Sequence, residues 1–151
     1  MKILVIYATA GAGHKKAAEA IYNGVRAHGG FEVRLVDLLD YTNPFFKKTY
    51  PQVYIFLVTR LPWAWGFFFS LLDIPWIQPL MKGVRRLYNG FNAQALQKFL
   101  IQEQFDGVIT THFLSAEVCA YLKREGKIKS KIICVVTDFD AHRIPGSIDR
   151  R

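Results

Sequence analysis

The stretch Lys2-Ile3-Leu4-Val5-Ile6-Tyr7-Ala8-Thr9-Ala10-Gly11-Ala12-Gly13-His14, with Lys15 to His28 behind it, decides how the chain is read. It opens on a continuous apolar run rich in β-branched residues and passes through a turn of small residues. An alanine-rich segment follows, with Ala17, Ala18, Ile21 and Val25 at helical spacing. This pattern predicts strand, tight loop and helix, the first half of a βαβ unit. Gly11 and Gly13 permit unusual φ values and remove side-chain bulk, so a ligand can approach the backbone closely. The free amides that open the next helix suit an oxygen-rich ligand.

His14 stands at the entrance of that helix. Two roles are open to it on these residues. It can cap the helix, or it can act as a general base, because the positive end of the helix dipole favours the neutral imidazole. The dinucleotide-binding pattern fails, since the third residue after Gly13 is Lys16 and not glycine. The P-loop pattern fails too, because no Gly-Lys-Ser/Thr follows.

Working outward, 151 residues make one domain with room for a core. Hydrophobic residues at 51% and charged residues at 21% exclude a disordered chain. The formal net charge of +8 calls for an anionic partner: nucleic acid, anionic lipid or a phosphorylated ligand. Met1-Lys2 leads straight into the first strand, which leaves no room for a signal peptide and implies a cytoplasmic protein. Cys119 and Cys134 lie among apolar neighbours in a predicted helix and a predicted strand, so both are assigned to the core.

His28-Gly29-Gly30 is a helix stop, and Phe31 to Asp37 reads as a second strand. Phe31, Val33 and Leu35 alternate with Glu32 and Arg34, which places this strand at or near a sheet edge. Asp37 and Asp40 are read as cap or loop residues. Further on, Phe105 to Thr111 predicts a strand, a helix runs from about Ser115 to Glu125, and Lys131 to Thr137 predicts a last buried strand. Strands alternating with helices imply an α/β fold with a parallel, doubly covered sheet. Its ligand crevice lies beyond the carboxyl ends of the strands. His14 follows the first strand, His112 the third and Asp138 the fourth, so the three are expected to converge.

The segment from Tyr41 to Gln102 has a different character. It holds seven basic residues (Lys47, Lys48, Arg60, Lys82, Arg85, Arg86 and Lys98), one acid, Asp73, and all three tryptophans. Trp76 to Gln104 shows helical spacing. No apolar stretch reaches the roughly 18 to 20 residues of a spanning helix. Taken singly, Trp63, Trp65, Phe67, Phe68 and Phe69 suit a core helix. As a group bracketed by Pro62 and Pro75 and flanked by Arg60, Lys82, Arg85 and Arg86, they suit an element lying in a membrane interface, with the cations on lipid phosphates. Nucleic-acid binding is the weaker alternative, because consecutive rings in an aliphatic run favour bulk burial over base stacking.

With these residues in view, the chain resembles the amino-terminal domain of the monogalactosyldiacylglycerol synthase and processive diacylglycerol glucosyltransferase family. The resemblance rests on Ala10-Gly11-Ala12-Gly13-His14 with Ala17 to Ile21, on the aromatic and basic segment, on Thr111-His112-Phe113, and on Thr137-Asp138-Phe139-Asp140-Ala141-His142. It implies a Rossmann-like domain, residues 1–142, forming the acceptor-binding half of a GT-B glycosyltransferase, with a membrane-interface insertion at about 41–104. The implied reaction moves a hexose from UDP-glucose or UDP-galactose to diacylglycerol on the cytoplasmic face of a membrane containing anionic lipids. His14 maps onto the family's base, Thr9, Gly11, Ala12 and Gly13 onto the acceptor loop, and His112, Asp138 and His142 onto the crevice around them. The resemblance implies no metal and no cofactor held by this chain. Against that pattern residues 143–151 read as a tail, and the carboxyl-terminal donor domain is expected to be absent, leaving this chain inactive alone. The other class open to the sequence is a non-catalytic membrane- or nucleic-acid-binding module of the same fold.

Overall fold

A computed structural model describes residues 1–9, 12–61, 63 and 93–137. In chain order the elements are β1 (Lys2–Tyr7), α1 (Ala12–His28), β2 (Glu32–Asp37), a short 3-10 helix (Leu38–Tyr41), α2 (Pro44–Arg60), α3 (Gln94–Glu103), β3 (Gly107–Thr110), α4 (Phe113–Arg124) and β4 (Lys131–Cys134). The four strands form one all-parallel sheet in the order β2-β1-β3-β4. This is an α/β, Rossmann-like arrangement with β2 at one edge, where its alternating pattern put it.

The pleat of β1 explains the layers. Leu4 and Ile6 project into the main core with Val108, Leu96, Leu100, Val118 and Leu122. Val5, also fully buried, points to the other side of the sheet. There α1 packs on β1 and β2, while α3 and α4 pack against each other. The first helix stops where Gly29 and Gly30 take φ values of 76° and 77°, a left-handed conformation that costs glycine little.

Three features differ from the sequence reading. The end of the expected 41–104 insertion belongs to the domain itself: α3 buries Leu96 and Leu100 in the main core, and Tyr41 and Phe99 pack on it. Aromatic and basic composition could not separate this core helix from the segment before it. The last strand ends at Cys134 and is only half covered, with Ile133 55% exposed. It lies at the opposite edge from β2, and its face carrying Ile133 meets solvent while Ile132 packs on the core. Cys134 is accordingly half-buried, whereas Cys119 is fully buried and its thiol is pushed up to about 12 by desolvation. The third difference is at α4, which starts at Phe113, two residues early, because His112 caps it.

Candidate active site

Strand order reverses direction at β1 and β3. The connection from β1 runs outward to β2, and that from β3 runs the other way to β4. A crevice opens at such a switch point, beyond the carboxyl ends of the strands. The register pairs Ile6 with Thr110, and the Thr111 N–H donates to the Ile6 carbonyl at 3.0 Å, so the loops leaving β1 and β3 start side by side. His14 and His112 meet there edge to face, with ring centroids 4.9 Å apart.

His14 lies in the first turn of α1, and its ring turns away from its own helix. Nδ1 is 2.6 Å from the Thr111 carbonyl oxygen and 2.6 Å from the Thr137 hydroxyl. A carbonyl only accepts, so Nδ1 carries the proton. The lone pair is then on Nε2, which has no hydrogen-bond partner among the described residues. The Thr111 hydroxyl also donates to the His14 carbonyl at 3.0 Å, fastening the two loops from both sides. The capping role open to His14 in the sequence is therefore not the one it takes.

His112 is the mirror case. Its Nδ1 accepts the Leu114 N–H at 3.3 Å, which caps α4 and puts the proton on Nε2, 3.4 Å from the Tyr50 hydroxyl. Burial, and then the proximity of His14, lowers its pKa to about 3. It remains neutral under the catalytic histidine candidate and places no like charge beside it. Burial, then neighbouring Tyr54, pushes the Tyr50 phenol up to about 12. Below them the buried Thr110 and Ser115 hydroxyls lie against each other and 2.9 and 2.8 Å from the His112 carbonyl; with one proton apiece, one hydroxyl donates to the carbonyl while the other donates to its neighbour.

The loop after β1 is tied to β2. Thr9 bonds the Asp37 carboxylate through its hydroxyl and, at 3.3 Å, through its N–H, while the same carboxylate accepts the Leu39 N–H at 3.0 Å. Asp37 is thus the cap its position suggested. Gly13 is helical with no positive φ, so the unusual backbone expected there is not needed. A Cβ at Gly13 would meet nothing within 4 Å. Ala12 beside it is exposed.

Gly11, Asp138 and His142 lie outside the described residues, as do Trp65, Phe67, Phe68, Phe69, Lys82, Arg85 and Arg86. Arg60 and Trp63 are exposed at and beyond the end of α2. Among the described residues no three His, Cys, Asp or Glu side chains gather as a metal would require, and no helix is long and apolar enough to cross a membrane. Two participants escaped the sequence reading. The sequence puts Tyr50 in the insertion and Thr137 at the end of the last predicted strand and the start of a motif; no local pattern marks either as a neighbour of a histidine.

The sequence model of the monogalactosyldiacylglycerol (MGDG) synthase family matches residues 14–145. The chain belongs to that family. It is accordingly the amino-terminal type of domain of a GT-B glycosyltransferase of glycolipid synthesis, and its parallel sheet has the architecture such a domain requires. The match to the MGDG synthase family takes in His14, Thr111, His112 and Thr137, the residues that meet at the crevice. Neither the comparison with curated proteins nor that with solved structures gave a match.

Proposed function

We propose that this domain is the acceptor-binding half of a membrane-associated glycosyltransferase that moves a hexose from UDP-glucose or UDP-galactose to diacylglycerol, with His14 as general base. The observation that carries the reading is the state of one nitrogen. With Nδ1–H held by the Thr111 carbonyl, Nε2 of His14 keeps its lone pair and has no hydrogen-bond partner among the described residues. The acceptor hydroxyl gives its proton to Nε2 as its oxygen bonds to the anomeric carbon and the bond to UDP breaks. A second α/β domain holds the UDP-sugar opposite this crevice and stabilises the departing diphosphate.

The membrane side of the reading is supported by α2. It carries Lys47, Lys48 and Arg60 and no acid, and leaves Phe45 78% and Phe56 56% exposed. Apolar side chains on an outer face among cations suit the headgroup region of an anionic bilayer, where acceptor diacylglycerol is found. The nearby Trp63 is exposed as well.

The test is His14→Ala in the complete two-domain enzyme. A positioned base contributes about 10² to 10⁴ in rate, so kcat should fall at least about 10²-fold while donor affinity and thermal stability hold. A variant that folds normally and keeps most of its kcat would remove His14 from the mechanism. His112 could not take its place, because using its Nδ1 lone pair would uncap α4.

A further inference from the structure

We propose that Thr137 is a positioning residue for His14: its hydroxyl, together with the Thr111 carbonyl, holds the imidazole in the Nδ1–H tautomer that leaves Nε2 free for the acceptor hydroxyl. The proposal rests on the reading of His14 as general base.

The geometry is that of one N–H between two oxygens. Thr111 O and Thr137 Oγ1 each lie 2.6 Å from Nδ1, and they come from the chain beyond β3 and beyond β4. Because the carbonyl fixes the proton on Nδ1, the Thr137 oxygen serves as the second acceptor of a shared hydrogen bond. The segment that carries it is anchored to the sheet, since the Val135 N–H donates to the Thr110 carbonyl at 2.8 Å. His14 is the only hydrogen-bond partner of the Thr137 hydroxyl among the described residues.

The chemistry gives that second acceptor a defined role. In the other tautomer, Nδ1 would turn a lone pair toward the carbonyl oxygen, and Nε2 would carry a hydrogen where the acceptor must deliver one. Once Nε2 gains the proton, positive charge spreads to Nδ1–H, and hydrogen bonds from an ionised donor are roughly twice as strong as neutral ones. Thr137 therefore acts more on the transition state than on the bound acceptor, which places its effect in kcat and not in KM. No carboxylate among the described residues takes this part.

The test uses two variants and two readouts. Thr137→Val keeps the shape of the side chain and deletes the hydroxyl; Thr137→Ser keeps the hydroxyl. In the complete enzyme Thr137→Val should lower kcat about 10-fold with KM for the acceptor unchanged, and Thr137→Ser should restore most of it. In this chain, labelled with ¹⁵N-histidine, long-range ¹H–¹⁵N spectra at neutral pH should show His14 as the Nδ1–H tautomer. With the Thr111 carbonyl still in place, Thr137→Val should keep that tautomer but move the Nδ1–H resonance and speed the exchange of its proton with water, and Thr137→Ser should do neither. A wild-type His14 found as the Nε2–H tautomer, or a Thr137→Val chain with an unchanged Nδ1–H signal and unchanged kcat, would overturn the proposal. If His14→Ala abolishes turnover while Thr137→Val does nothing, Thr137 fails and the base stands. If Thr137→Val shifts the Nδ1–H signal while His14→Ala leaves turnover intact, the base reading fails and the positioning geometry stands.

Discussion

The carboxyl edge of the sheet and helix α2 solve opposite problems. At the sheet edge, polar groups are deeply buried, and the hydroxyls of Thr110 and Ser115, the His112 carbonyl and both His112 nitrogens all have partners. On α2 no described side chain is fully buried, and apolar residues lie on its outer face as well as toward the domain. Phe46, Tyr50, Tyr54 and Leu57, at spacings of three and four, and Pro51 beside them are sheltered among its described apolar side chains, and Tyr50 joins it to the site. The first region is specified from within by hydrogen bonds. The second has no such internal network among the described residues, and its outer face is the one proposed to meet a membrane.

Paired substitutions would break this contrast most directly. Thr110→Val strips the buried network of its shared hydroxyl and should cost about 1 to 3 kcal/mol, read from denaturant unfolding at pH 7. The same change on the helix, Thr59→Val, removes only an exposed hydroxyl bonded 2.7 Å back to the Ile55 carbonyl, and should stay within about 0.5 kcal/mol. Equal costs would show the two regions to be built alike.

A somewhat smaller effect should come from acid. The unfolded imidazole of His112 takes up a proton as pH drops below 6.5, whereas the folded one refuses it until about 3. The unfolded state therefore binds more protons throughout that window, and stability falls with falling pH by up to about 1.4 kcal/mol per unit from this group. His112→Asn keeps a capping side chain and removes the titration. Its stability should depend less steeply on pH between 6.5 and 5; identical slopes would mean that His112 protonates within the fold.

The smallest effect on stability belongs to α2. Phe45→Ser with Phe56→Ser should change unfolding free energy by no more than about 0.5 kcal/mol, yet weaken sedimentation with vesicles of anionic lipid. Loss of the fold would place that face in the core. Unchanged vesicle binding would move the contact elsewhere.

How much of this was legible in the chain follows from which interactions are local. Apolar β-branched runs and the Gly29-Gly30 stop depend on near neighbours, so β1, α1 and the edge position of β2 could be read directly. His14 and His112 could be brought together because the rule for parallel sheets converts strand ends into neighbours. The sheltering of α3, the exposed half of β4, and the contacts of Thr137 and Tyr50 depend on which partner arrives from far along the chain. Ile132-Ile133 shows the difficulty: one side chain packs on the core and the other meets solvent, although their chemistry is the same.

The two oxygens that hold His14 lie 97 and 123 positions further along the chain. Helix α1 can form on its own timescale of about a microsecond, whereas contacts of such sequence separation wait for the slow closure of the parallel sheet. During folding the histidine is thus present early as a residue and late as a site. Its ring signals would report the docking of β3 and β4, making a single side chain near the beginning of the chain a sensor of whether its last described strand has found its place.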